Sequence, residues 1–277
     1  MKLATLRTPG GKRAVRVEAE RYVDLGYHDV GQVLAQPRWR EVAEAASGTT
    51  YSANEVDLAP LVPRPGKIVC VGLNYRSHIL EMGRELPEYP TLFAKYPEAL
   101  VGPRDSIELP AESDQVDWEA ELALVICAPV RRASADQAAN AIAGFSVFND
   151  VTMRDFQNRT KQWLQGKTFE GTTPFGPVLV TPDELPGGVA PALTMTCSVD
   201  GEIVQKSDTS DLVFGPVQLV RYISTIVSLK PGDVIATGTP GGVGHARKPA
   251  RYLSDGSGLV TEITRIGRLD NIARAVT

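Results

Sequence analysis

The stretch "VDWEAELALVI", Val116–Ile126, decides how the chain is read. Its second half, Leu122 to Ile126, has no polar break and reads as a buried β-strand. Asp117, Glu119 and Glu121 stand at alternating positions at its entrance. Successive side chains on a strand point to opposite faces, so the three acids share one face. Like charges on one face repel, and a buried carboxylate costs several kcal/mol unless it is paired or bound to metal. The arrangement therefore demands a counter-charge.

Working outward, "KIVCVGL", "FSVFNDVT", "GPVLVT", "LTMTCSVDGEIVQ", "DVIATGT" and "LVTEITRIGRL" are also short, β-branched and punctuated by Gly and Pro. The Asp-Gly in "SVDGEIVQ" marks a two-residue hairpin. Helical spacing is rarer. "SADQAANAIA" starts at an N-cap candidate, Ser134, and "GPVQLVRYISTIVS" is amphipathic. No βαβ alternation recurs, which argues against a doubly wound sheet. The expected class is α+β, predominantly β. Residues 1–62 read as a small N-terminal domain, with strands around "TPGGKR" and a helical segment interrupted by Pro37. Residues 63–277 read as one larger, β-rich domain.

The 277 residues suffice for one large domain, or one domain with a small appendage. A net charge of −4 gives no electrostatic footprint for nucleic acid or an anionic membrane. No window is apolar for long enough to span a bilayer, and the first residues lack the pattern of a secretory signal. Cys70, Cys127 and Cys197 are odd in number, far apart and set in apolar surroundings, so they read as reduced thiols of a cytoplasmic protein.

A third acid, Asp150, ends the apolar run Phe145–Phe148. With Glu119 and Glu121 it forms an oxygen-only ligand set. Such a set suits a hard cation, Mg²⁺, Mn²⁺ or Ca²⁺, with positions left for water and substrate. If "DVTMRDFQ" turns helically, Asp150, Arg154 and Gln157 become neighbours at i, i+4 and i+7. Lys167 lies beside a Thr-rich loop, where it can reach inward. His78 and Glu81, three apart in "GLNYRSHILEMG", would share a helix face, and a carboxylate beside an imidazole makes a general base. Each of these taken singly reads better as a surface charge or a helix-face pair. "GTPGGVG" lacks the pattern of a P-loop or dinucleotide fold, so its glycines point to close backbone approach to a ligand.

Together, "KIVCVGLNYRSHILEMG", "VDWEAELALVI", "FNDVTMRDFQ", "QWLQGKTFEGTTPFGP", "DGEIVQKSDTSDLVFG" and "LKPGDVIATGTPGGVG" resemble the fumarylacetoacetate hydrolase family, in order, over roughly residues 66–272. The resemblance implies a β-rich fold, usually homodimeric, around a divalent metal, with Mg²⁺ expected and Mn²⁺ or Ca²⁺ as alternatives. It implies Glu119, Glu121 and Asp150 as metal ligands. His78, paired with Glu81 as in the smaller acylpyruvate-cleaving members, and Lys167 become the catalytic groups. Arg154, Gln157 and Thr239 line the substrate pocket. The chain departs from the family's usual pattern at "YLSDGSG", Tyr252–Gly258, and at "TRIGRL", where Arg265 precedes Ile266. Asp117 is read as a support for the loop, not a ligand.

The implied activity is metal-dependent hydrolysis of a C–C bond in an acylpyruvate or related 2-oxo acid through a stabilised enolate. His78 would activate water, and Lys167 and Gln157 would hold the oxyanion. Decarboxylases, isomerases and hydratases of 2-oxo acids share this enolate logic. A metal-stabilised binding protein is the non-enzymatic alternative, although binding alone needs no base.

Overall fold

A computed structural model describes residues 1–19 and 21–276. Its centre is a twelve-stranded mixed sheet. Along the main path the strands run Thr50–Ser52, Arg21–Asp24, Gly11–Glu18, Lys2–Thr8, Thr173–Val180, Ile142–Asn149, Ala120–Ile126, Val234–Ala236, Ile68–Gly72 and Thr91–Lys95. A five-stranded sheet packs beside it, and most of its strands come from the C-terminal third. The expected α+β, strand-rich class is the observed one.

The strand Ala120–Ile126 is buried along its whole length, which explains its unbroken apolar run. Leu122, Leu124 and Ile126 belong to one core, shared with Leu219, Val220 and Ile223 of the helix Pro216–Ile226 and with the five-stranded sheet. Ala123 and Val125 belong to a second core, shared with Ile68, Cys70 and Phe148 and with the N-terminal Val33 and Leu34. Strand alternation thus assigns Glu121 to the face of Ala123 and Val125.

Local signals are honoured in most places. Asp200 and Gly201 take positive φ, 52° and 83°, at the turn between Thr194–Val199 and Glu202–Asp208. Ser134 caps Ala135–Asn140 through a capping box with Gln137. The segment interrupted by Pro37 forms two helices, Val30–Leu34 and Trp39–Ala45. The N-terminal strands are continuous with the large sheet, because Lys2 and Leu3 pair with Val180 and Leu179. Among the described residues no helix is long and apolar enough to cross a membrane.

Candidate active site

Glu119, Glu121 and Asp150 each offer a carboxylate oxygen, and these atoms lie within 4.8 Å of one another in a buried cluster. Two neighbouring antiparallel strands bring them together, Ala120 pairing with Asn149 and Glu121 with Phe148. The Asp150 amide donates to the Glu119 carbonyl at 2.8 Å, and the Glu119 amide donates to Asn149 Oδ1 at 2.9 Å. Asp117 is buried but faces elsewhere. Its carboxylate accepts from the Trp118, Gly244 and His245 amides at 2.8, 2.7 and 3.0 Å, and from Arg154 Nε at 2.8 Å. It therefore clamps the loop around Gly244 and aims Arg154.

The helical reading of "DVTMRDFQ" does not hold. Thr152–Met153 pair as a short strand with Val116–Asp117, and the helix covers only Arg154–Gln157. Asp150 and Arg154 are consequently not helix neighbours. Arg154 Nη1 instead meets Glu119 Oε1 at 2.8 Å and Gln157 Oε1 at 2.9 Å. Two cations take Asp150: Lys167 Nζ at 2.8 Å from Oδ2 and Lys95 Nζ at 2.7 Å from Oδ1. Lys167 Nζ also donates to Glu119 Oε2 at 2.8 Å. Gly166 makes this reach possible, since a Cβ there would fall 2.4 Å from the Gln157 backbone nitrogen. The helix Leu164–Lys167 can therefore lie backbone to backbone on Arg154–Gln157.

Lys95 was not among the expected site residues. Its only sequence signal is a lysine closing the strand Thr91–Lys95, yet its side chain is fully buried. Gln205 was also missed. It accepts from the Ala120 amide at 3.0 Å and donates to Thr239 Oγ1 at 2.9 Å and the Pro240 carbonyl at 3.0 Å, fastening the "TGTP" loop to the acidic strand.

Among the described residues, the formal charges of this cluster do not balance. Four carboxylates, those of Asp117, Glu119, Glu121 and Asp150, face three cations, Lys95, Arg154 and Lys167. Burial would raise Asp150, but Lys167 and Lys95 outweigh it and hold the group below its ordinary value. Glu121 goes the other way. Burial and the neighbouring Asp150 and Glu119 push it well above the usual carboxylate range, opposed by Lys167 and by the Gly238 amide that donates to it at 2.7 Å. Glu121 has no cation in hydrogen-bonding contact among the described residues. An oxygen-only trio containing one such carboxylate fits a hard divalent cation.

His78, Glu119, Arg154, Gln157, Lys167 and Thr239 line one cavity of about 170 Å³. Arg154 Nη2 is buried and has no hydrogen-bond partner. His78 sits half-buried on the helix Arg76–Glu81, and burial lowers its imidazole below the ordinary value against the opposing pull of Glu81 and Glu119. Glu81 is exposed, and no hydrogen bond joins it to His78. Both side chains abut the same glycine: a Cβ on Gly241 would lie 3.1 Å from His78 Nδ1 and 3.4 Å from Glu81 Oε2. Asn74 anchors the start of this helix by bonding the Phe214 amide and carbonyl at 2.8 and 3.0 Å and the Thr237 carbonyl at 2.8 Å.

Carboxylates that can hold a metal at the end of a buried strand, beside a cavity lined by a base candidate and four polar donors, describe an enzyme site. The family profile described as Fumarylacetoacetate (FAA) hydrolase C-terminal matches residues 67–273, and the chain belongs to that family. It is 46% identical over 261 residues to a protein of Rattus norvegicus named oxaloacetate tautomerase Fahd2a, mitochondrial, covering 90% of this chain and 82% of the relative. The structure of fumarylacetoacetate hydrolase from psychrophilic Exiguobacterium antarcticum superposes with a TM-score of 0.89 at 34% identity, covering 100% of each chain. That of 5-carboxymethyl-2-hydroxymuconate delta-isomerase from Mycobacterium smegmatis superposes with a TM-score of 0.83 at 30% identity, again covering 100% of each chain.

Proposed function

We propose that the protein interconverts the keto and enol forms of a small 2-oxo acid, with oxaloacetate the first substrate to test. One observation carries the reading: Arg154 places an unpartnered, buried guanidinium N–H on a residue lining the cavity above the carboxylate trio. Such a donor is costly until something accepts from it, and a substrate carboxylate does so with a charge-assisted bond. The cavity of about 170 Å³ lies below the roughly 300–1,000 Å³ of common ligand pockets, which favours a compact acid. The names of the rat and Mycobacterium smegmatis relatives, a tautomerase and an isomerase, support an isomerisation over a cleavage.

Glu119, Glu121 and Asp150 would hold the divalent metal, proposed as Mg²⁺ with Mn²⁺ or Ca²⁺ as alternatives, which supplies positive charge to an oxygen that becomes anionic as the enolate forms. Arg154 Nη2 binds the substrate carboxylate. Lys167 stays an ammonium, because the pull of Asp150 and Glu119 exceeds the effect of burial, so it orients the carboxylates and serves as a donor, not a base. His78 is neutral near pH 7, since its value is lowered from the ordinary one of about 6.5. It takes up a proton and returns one at the carbon beside the carbonyl, leaving no net change, while the nearby Glu81 stabilises the transient imidazolium. Thr239 Oγ1 accepts from Gln205, which leaves its own O–H as a donor, and Gln157 likewise keeps its amide N–H groups.

Hydrolysis of an acylpyruvate C–C bond is the second reading. It is favoured by the placement of His78 and Glu81 against Gly241, where an imidazole and a carboxylate together can deprotonate water. The deciding experiment follows decay of enol absorbance for oxaloacetate, and pyruvate release from acylpyruvates and oxaloacetate, with Mg²⁺ and with chelator. Tautomerisation requires faster enol decay without pyruvate. Pyruvate release from acylpyruvates would overturn it in favour of cleavage. For assembly we propose a homodimer, supported by the exposed apolar Ile203, Ile226 and Ile272.

A further inference from the structure

The cavity has an apolar wall that the proton-transfer chemistry leaves unexplained. Gly72 ends the strand Ile68–Gly72, and a Cβ there would fall 2.4 Å from Trp163 Cζ3 and 2.9 Å from Cη2. Gly72 is absent from the residues with positive φ, so the backbone does not require glycine; the indole does. Trp163 also meets Phe93 edge to face, with ring centroids 5.4 Å apart at 69°. Phe93 in turn lies 4.9 Å from Lys167 Nζ. Gly72, Phe93, Trp163 and Lys167 all line the cavity that holds His78 and Arg154. Trp163 immediately precedes the helix Leu164–Lys167, so one short segment supplies both the aromatic wall and the ammonium that organises the carboxylates.

We propose that Trp163, seated in the space left by Gly72 and braced by Phe93, sets the length of the 2-oxo acid that the site accepts. It admits short 2-oxo dicarboxylates and excludes acids with an extended acyl chain beyond the 2-oxo end. This inference rests on the proposed 2-oxo acid chemistry and adds the residue that selects among such substrates. An indole braced on two sides cannot yield without losing its packing, so an added substrate carbon meets a wall. Gly72→Ala should disturb the same wall from behind, because its new Cβ displaces the indole without altering any polar group of the site.

The test measures kcat/KM for oxaloacetate and for a series of 2,4-dioxo acids of increasing chain length, using wild type, Trp163→Ala, Trp163→Phe and Gly72→Ala. Each variant is first checked for an unchanged oxalate affinity, which reports an intact charged end. Trp163→Ala should raise the ratio of long-chain to oxaloacetate kcat/KM by about tenfold or more, within the range that a methylene or two of pocket space commands. Trp163→Phe should shift it part of the way, and Gly72→Ala, which displaces the indole, should move the cut-off from its wild-type position. Calorimetric binding of unreactive dicarboxylates of graded length, with Mg²⁺ present, provides a readout independent of turnover. Wild type should bind the short members and Trp163→Ala should extend the range. If no 2-oxo acid turns over but the length cut-off still moves with Trp163, the functional reading fails while the wall stands. An equal loss across all chain lengths, or an unmoved cut-off, would overturn the wall itself.

Discussion

Replacing Lys95 with Met isolates the interaction that sequence reading did not reveal. The Lys95–Asp150 pair is fully buried on both sides, with Nζ 2.7 Å from Oδ1 and 3.1 Å from the Val151 carbonyl. Methionine keeps most of the stem's volume, so the change removes charge and two hydrogen bonds with little cavity. Breaking a buried pair from one side costs up to about 3–5 kcal/mol when the remaining charge is left uncompensated, and here, among the described residues, Asp150 keeps only Lys167, which it shares with Glu119. At about 2–4 °C per kcal/mol for large domains, the metal-free melting temperature should fall by up to roughly 6–20 °C. The pH sign follows from Asp150. Its folded-state value is depressed, so it contributes stability that is present above the ordinary carboxylate value of about 3.9 and lost as pH falls through the depressed one. The gap between variant and wild type should therefore be flat around neutrality and shrink toward the carboxylate range, where Asp150 protonates. Added Mg²⁺ should recover part of the loss by supplying a cation beside Asp150. Scanning calorimetry in chelator and in Mg²⁺ measures all of this. A metal-free Lys95→Met protein that melts within about 2 °C of wild type would refute the charge balance drawn for the site.

Glu119→Gln, Glu121→Gln and Asp150→Asn should each remove detectable turnover, and chelation should do the same reversibly, with Mg²⁺ or Mn²⁺ restoring it; full activity in a metal-free sample would contradict the ligand set. His78→Ala should lose turnover while keeping oxalate affinity, and the acid limb of wild-type kcat/KM should fall below the ordinary imidazole value of about 6.5, because burial favours the neutral base. A limb above that value would assign the titration to another group. Arg154→Lys should raise KM by about 10–100-fold, since an ammonium cannot replace a forked donor held by Asp117, Glu119 and Gln157. Light scattering should report twice the 29.9 kDa chain mass, and a monomer at micromolar concentration would remove the dimer.

Much of this was legible because its signals are local. The acids of the "VDWEAELALVI" stretch declared a charged end to a buried strand, and strand alternation put Glu119 and Glu121 on one side. What stayed hidden depends on pairing across distance. Lys95 becomes a partner of Asp150 only once Thr91–Lys95 lies against Ile68–Gly72, and nothing in "TLFAK" announces that neighbour. The helical reading of "DVTMRDFQ" failed for a similar reason. Propensity permits a helix there, but Thr152–Met153 is claimed by Val116–Asp117, 35 to 37 residues upstream, and tertiary pairing overrides local preference. Trp163 carried no sequence signal of its own, since its meaning lies in the missing side chain of Gly72.

The three bonds made by Asn74 join positions 140 and 163 residues apart in the chain. During synthesis, the base-bearing helix therefore leaves the ribosome long before Phe214 and Thr237, the groups that fix its entry, exist. Glu121 likewise waits for Gly238, and the Ala120 amide waits for Gln205. Contacts of such long sequence separation close late and slowly. A nascent chain carrying the whole acidic trio and His78, but stopping short of the "TGTP" loop, would hold every acid and base of the proposed chemistry and have no frame to aim them. For this protein, competence is a property of the finished polypeptide and cannot be accumulated segment by segment.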